Sequence, residues 1–187
     1  MRKIPKGAND LCRSPFSVGD AGAWDILFVV GEMVAGARKG QFSPMLPSAR
    51  GQVSQALQFA KALLSRRSLF RQFFKPQIFI SARHNGGTVG AALASSGEAK
   101  NGVETITLDV VVVDERFRNQ GIGHALVRAI MDTASPGTQV RCSCAHSARA
   151  MQRLVSHLGF HCLRAPEISA VVNGVRITQP SLWIKQL

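Results

Sequence analysis

The sequence predicts a single α/β domain with a mixed, mostly antiparallel central sheet flanked by helices. Three observations carry that expectation. A helical period dominates the first part of the 187-residue chain, a two-residue period takes over at Gln77, and strands then alternate with helices. The length fits one domain over 1–187, with a basic helical part over 20–75 and the core motifs over 77–163. Hydrophobic residues make up 45% and charged ones 18%, which supplies a packed core and excludes wholesale disorder.

Residues 20–37 read as a helix starting at an Asp cap, Asp20, although the run Ile26 to Val30 also suits a strand. From 53 to 75 the spacing predicts a helix with Ala56, Phe59, Leu63, Phe70 and Phe74 on one face, ended by Pro76. Two strands over 77–83 and 88–94 flank Asn85-Gly86, the dipeptide that best specifies a two-residue hairpin. Residues 104–113 (ETITLDVVVV) are too apolar on both faces for a half-exposed strand, as expected of a central one. Helices follow over 123–133 and 147–158, the latter closed by Gly159, with a strand over 139–145 between them. Strand-like pieces over 160–163 and 182–184 finish the chain, and the final strand, Leu182 to Leu187, is exposed enough to pair across a homodimer.

The chemistry concentrates between Val110 and Leu126. A buried strand feeds a turn with Gly121 and Gly123 that opens a helix. Helix N-termini leave backbone N–H groups unpaired and carry positive dipole, and glycine lets the main chain approach an anion closely, so such a turn suits a phosphate. Glycines used only for the sterics of a strand-to-helix turn are the structural alternative. Arg118-x-x-Gly121-x-Gly123, preceded by Val113 and Phe117, resembles the V-x-P-x-[YF]-R-x-x-G-[IL]-G signature of the GNAT superfamily of N-acetyltransferases. Leu158-Gly159-Phe160, 36 residues after Gly123 counted at Gly159, resembles its second motif.

That resemblance implies an acetyl-CoA-dependent N-acyltransferase with no metal cofactor. It implies that the turn Arg118, Asn119, Gln120, Gly121, Ile122, Gly123 and His124 holds the pyrophosphate through main-chain amides. The pantetheine arm would pair with Val111, Val112 and Val113, where a bulge splays the central strand from Val140 to Ala145. A backbone N–H near Val112 or Val113 is the oxyanion donor so implied. Family members often place a carboxylate base on the central strand, but the aligned positions here are Thr105 and Thr107. Asp109 shares their strand parity and is the favoured base, ahead of Glu104, which points to the other face; a structural role for Asp109 stays open. The family's usual Tyr is Val155 and its usual Asn is Ala148, and the chain has no tyrosine. Three outcomes therefore stand: the thiolate leaves with help from water, Ser156 or His157 substitutes, or the chain binds CoA and catalyses poorly.

The 23 Lys and Arg against 11 Asp and Glu give a net charge of +12. No acidic residue occurs between Glu32 and Glu98, while nine basic ones do, from Arg38 to Arg83. A one-signed surface there would repel polyamines and favour an acceptor that is anionic or linked to something anionic, such as tRNA or an acidic protein. A solvated basic face and a non-catalytic interaction module are the competing readings. Cys12, Cys142, Cys144 and Cys162 show no zinc spacing and read as buried, reduced thiols. With no signal-peptide core and no apolar run free of charges, a cytoplasmic protein off the membrane is expected.

Overall fold

The computed structural model describes residues 16–42, 48–65, 77–100, 103–164, 168–172, 175–178 and 180–187. Among them a seven-stranded sheet has the order β1-β2-β3-β4-β5-β9-β6. Its strands are β1 (Ser17–Asp20), β2 (Gln77–His84), β3 (Gly87–Lys100), β4 (Val103–Val113), β5 (Gln139–Cys144), β6 (His161–Arg164) and β9 (Ser181–Gln186); β7 (Ile168–Val172) and β8 (Val175–Thr178) form a separate hairpin. β4 and β5 run parallel and the other pairs are antiparallel, which is the predicted mixed, mostly antiparallel sheet.

The hairpin forms as its turn residues dictate, with Asn85 and Gly86 both at positive φ. β4 lies centrally, as its apolar run requires. Helices α1 (Asp25–Arg38) and α2 (Ala49–Ser65) cover one face of the sheet, and α3 (Ile122–Met131) and α4 (Arg149–His157) the other. On the first face Val29, Met33, Phe59 and Ala62 pack on Phe79, Leu93, Val110 and Val112; the Phe59 and Phe79 rings are 5.1 Å apart. On the second, Ile122, Leu126, Ile130, Val155 and Leu158 pack on Ala92, Ala94, Ile106 and Leu108.

The N-terminal helix resolves in favour of helix but starts five residues after the expected cap. Asp20 ends β1, paired with Ile80. Trp24 is the N-cap, without a side-chain cap bond, and Asp25 in the first turn anchors the start: its carboxylate accepts from the Gly22 N–H at 2.7 Å and from Ser81 and Arg83 at 3.1 and 2.9 Å, with Thr88 as a further donor. A long-range network thus sets this boundary, which local spacing does not encode. The helix predicted over 53–75 is observed from Ala49 to Ser65; Phe70, Phe74 and Pro76 lie outside the described residues.

The expected exposed final strand is corrected: β9 pairs with both β5 and β6, so it has no free edge for a dimer partner. Cys142 and Cys144 are buried free thiols, but Cys162 is exposed, because β6 faces solvent along its length. Cys12 lies outside the described residues. No helix among the described residues is long and apolar enough to cross a membrane.

Candidate functional site

The parallel ladder between β4 and β5 runs from Thr105–Gln139 to Leu108–Cys142 and ends there. Beyond it the strands part, and a cleft of about 520 Å³ opens between Asp109–Val113 on one side and Cys142–Ala145 on the other. Its floor and far wall are the turn into α3, residues Gly121–His124, and the α4 residues Met151, Arg153 and Leu154.

A β-bulge lies at the point of parting. Leu93 pairs with Val110 and Ala94 with Leu108, so Asp109 is the extra residue on β4. The bulge changes the strand's parity. Val110 and Val112 face the α1/α2 side, whereas Val111 and Val113 pack against the α3/α4 core. Simple alternation would have placed Asp109, Val111 and Val113 together. Instead Asp109 stays with Thr105 and Thr107 on the α1/α2 side, near Ser95, whose hydroxyl bonds its carboxyl. Asp109 is exposed at the cleft, yet partial desolvation of its carboxyl raises the pKa above its ordinary value, and the Ser95 hydroxyl only partly opposes this.

Each glycine of the turn has its own reason. Gly121 caps α3 in the left-handed region, φ +79°, and a Cβ there would meet nothing within 4 Å, so its cleft side is open. Gly123 is helical, and a Cβ would stand 3.3 Å from Leu154 Cδ2, so its role is close packing of α4 against the turn. Asn119 is also left-handed, φ 62°. Upstream, Phe117 anchors the turn by packing on the core and on the His84 ring, 5.3 Å away.

Arg118 lines the cleft but is held by the protein itself. Its Nε donates to the Val113 carbonyl at 3.1 Å, and its guanidinium lies 3.7 Å from Glu32 and 3.8 Å from Glu115. Asn119, Gly121, Ile122, Gly123 and His124 line the same cleft with Val111, Val112 and Val113, so the structure brings these sequence-predicted positions together. Gln120 is exposed beside the turn, its amide 3.4 Å from the Arg116 carbonyl. Glu104 is not brought to the cleft. It lies five residues, or about 16 Å of strand, before Asp109, within 3.5 Å of Thr138.

Sequence reasoning missed Glu32, Gln41 and Phe42, which come from the C-terminal half of α1 and its following turn and line the α1/α2 side of the cleft. Burial raises the Glu32 pKa, the nearby Asp114 adds to it, and Arg118 only partly opposes it. The available signal was an acid in the otherwise apolar middle of the helix, one position before buried Met33. The end of α1 is tied across the cleft by Lys39 to Glu115 at 3.0 Å, by Glu32 to Arg118, and by the Ser147 hydroxyl to the Gly40 carbonyl.

Val155, at the family's usual Tyr position, is fully buried in the core. Ser156 and His157 are exposed on α4, and the His157 Nδ1 lies 2.7 Å from the Arg153 carbonyl, so neither is part of the cleft lining. Of the nine basic residues between Glu32 and Glu98, Lys39 pairs with Glu115 and Arg83 with Asp25, while Arg66, Arg67, Arg71 and Lys75 lie outside the described residues. Among the described residues no three His, Cys, Asp or Glu side chains gather as a metal site would need.

Residues 50–160 match the family model described as the acetyltransferase (GNAT) family. No curated protein matches the chain significantly in sequence. Among solved structures, a protein from Streptococcus mutans aligns with a TM-score of 0.68 at 17% identity, covering 91% of this chain and 98% of that one. A phosphinothricin acetyltransferase from Sinorhizobium meliloti in complex with AcCoA aligns at 0.69 and 16%, covering 92% and 89%. RimL, a ribosomal L7/L12 alpha-N-protein acetyltransferase in complex with coenzyme A, aligns at 0.65 and 13%, covering 92% and 94%. At these identities the likeness is one of fold.

Proposed function

The chain belongs to the GNAT family of acetyltransferases, and from that premise we propose that it moves an acetyl group from acetyl-CoA to a primary amine held on the α1/α2 side of the cleft. The observation that carries this is the parting of β4 from β5 directly above the N-terminus of α3. Backbone at Val111–Val113 that no longer pairs with β5 offers a strand edge to an extended amide-bearing arm. The turn residues Gly121–His124 offer amides and helix dipole to a pyrophosphate. The open space at Gly121 leaves room for the phosphate oxygens.

In the proposed transfer the amine nitrogen attacks the thioester carbonyl carbon; the C–N bond forms and the C–S bond breaks. Asp109 takes the amine's proton, directly or through water. Its raised pKa makes it a stronger proton acceptor than an ordinary aspartate. Because Val155 is core, the departing thiolate receives its proton from water or a cleft polar group rather than from that position. Glu32 sits beside the acceptor's path and adds negative charge that favours a cationic amine. The basic composition therefore does not set the sign of the acceptor pocket. Neighbours of the same fold act on acceptors as different as phosphinothricin and a protein α-amine, so the acceptor is chosen by this wall and not by the fold.

Calorimetric titration with acetyl-CoA tests the donor half, using Gly121→Ala and Gly121→Glu beside the wild type. Both variants carry the left-handed strain, so a further loss in the Glu variant reports charge repulsion at the phosphate site. Binding by the wild type, weaker in Ala and abolished in Glu, supports the proposal. Absence of binding by a folded wild type overturns it and leaves a non-catalytic interaction module.

A further inference from the structure

β5 carries two cysteines that the proposed transfer does not use. Cys142 and Cys144 are two apart on one strand, so their side chains turn to the same face, and their Sγ atoms are 3.6 Å apart. Each is at most 3% exposed, yet both line the cleft. Cys142 is the last β5 residue paired with β4, through Leu108. Cys144 lies just past the parting, its carbonyl held by the Ser181 hydroxyl at 3.1 Å. The pair therefore straddles the point where the sheet opens.

The two sulfurs are chemically unequal. The hydrogen bond from Cys142 holds the Cys144 thiol below its ordinary range, while the same bond, followed by burial and the nearby Asp109 carboxylate, pushes Cys142 up. Cys144, which lies past the parting and is the more readily ionised of the two, is placed to attack, and Cys142, 3.6 Å away, to resolve.

We propose that Cys142 and Cys144 form a reversible thiol–disulfide pair in the cleft wall, oxidised by a low-molecular-weight disulfide that enters through the cleft. The Cys144 thiolate attacks one sulfur of the disulfide, forming a mixed disulfide and releasing one thiolate. Cys142 then gives up its proton and attacks the Cys144 sulfur, forming the Cys142–Cys144 bond and releasing the second thiolate. Counted from the dithiol, the protein loses two electrons and two protons, one as Cys144 ionises and one from Cys142, and these convert the small disulfide into two thiols.

Closure changes the cleft. Residues two apart in an extended strand have Cα atoms about 6.7 Å apart, at the upper limit of about 6.8 Å that a disulfide spans, and the sulfurs must approach to about 2.05 Å. Bond formation therefore shortens β5 where it forms the wall opposite Val111–Val113. On the acetyl-CoA reading above, this is where the thioester end lies, and oxidation weakens donor binding; the bridge itself does not depend on that reading.

The test uses the full chain carrying Cys12→Ser and Cys162→Ser, incubated with oxidised glutathione, quenched with iodoacetamide, digested and weighed. The expected result is an unalkylated peptide spanning Cys142 and Cys144, lighter by two hydrogens, that reverts with dithiothreitol. Acetyl-CoA affinity should fall at least about tenfold on oxidation and recover on reduction. Cys142→Ala should stop at the glutathione adduct on Cys144, and Cys144→Ala should stay free of the bridge. Full alkylation of both cysteines after unfolding, or glutathione on Cys142 with Cys144 untouched, overturns the pair. A bridge that forms with donor affinity unchanged overturns the control of binding. Reduced protein that forms the bridge but never binds acetyl-CoA overturns the donor reading alone.

Discussion

The two sides of β4 are built in different ways. On the α3/α4 side, the strand end, the glycine turn, α3, β5 and α4 follow one another within about fifty residues of sequence, and each packs on the next. On the α1/α2 side the covering helix α1 is held by pairs far apart in sequence: Asp25 with Arg83 and Thr88 at its start, and Glu32 with Arg118, Lys39 with Glu115, and Gly40 with Ser147 toward the cleft. On the function proposed above, the donor side is thus a local motif whose backbone geometry would do the binding. On the same reading the acceptor side is an assembly of side chains that can vary without disturbing the turn.

The largest expected effect separates chemistry from either wall. Asp109→Asn should lower turnover by about 10²- to 10⁴-fold, most strongly at pH values where the acceptor amine is cationic and needs a base. Acetyl-CoA affinity should stay unchanged. Its stability should move the other way. The folded-state pKa of Asp109 is raised above its unfolded value, so its favourable contribution is present at low pH and lost as pH rises through that raised value. The Asn variant should therefore melt higher than wild type at neutral pH, with the difference closing in acid. A pH–rate profile parallel to wild type would remove Asp109 from the mechanism.

Next in size is the anchor of the acceptor-side helix. Burial pushes the Asp25 carboxyl up, but Thr88, the Gly22 amide, Arg83 and Ser81 together outweigh it and hold the pKa below the usual range. Asp25→Ala leaves the buried Ser81 hydroxyl and the Gly22 amide without their acceptor, while the half-exposed Arg83 regains water, and should cost about 1 to 3 kcal/mol in urea unfolding for each buried donor left unpaired. The wild-type contribution is present above the ordinary carboxylate pKa and lost as pH falls through the depressed folded value. A loss below about 1 kcal/mol would mean that α1 is held by its apolar face alone.

This contrast explains what was legible beforehand. The Asn85-Gly86 hairpin, the central strand, the Gly121–Gly123 turn and the Gly159 helix end all use short-range rules of backbone geometry, and each lies where expected. The start of α1 did not, because the Asp25 carboxylate in its first turn is held by Ser81 and Arg83, more than fifty positions away. Asp109 was found by strand parity, but the bulge that separates it from Val111 and Val113 comes from pairing with Leu93 and Ala94, which periodicity alone cannot specify. Likewise, spacing could not show that Lys39 and Arg83, two of the nine basic residues in the run, pair with acids remote in sequence.

A smaller effect probes how tightly the donor side is packed. At Gly90 of β3 a Cβ would stand 2.8 Å from Ile122 Cγ2, 3.2 Å from Leu126 Cδ1 and 3.3 Å from the Val112 carbonyl. Gly90→Ala should push the first turn of α3 away from the sheet, cost about 1 to 3 kcal/mol, and weaken acetyl-CoA binding while leaving the acceptor KM unchanged. Equal losses for both substrates would show that the two sides are mechanically coupled.

The smallest effect bears most directly on the division between the sides, because Glu32 belongs to the acceptor wall yet touches Arg118 of the donor turn. An ion pair this accessible contributes about 0.2 to 1 kcal/mol, so Glu32→Gln should change kinetic constants only a few-fold. If Glu32 acts on the acceptor, KM for a cationic amine rises and that for a neutral amine analogue does not, while the acetyl-CoA Kd holds. The rise should vanish in acid, where the raised pKa of Glu32 already leaves the wild type protonated. If its main task is to hold Arg118, the acetyl-CoA Kd changes instead, and Arg118→Gln reproduces that change without adding to it in the double variant. The second pattern would make Arg118 the hinge between a donor side written locally in the chain and an acceptor side assembled across it.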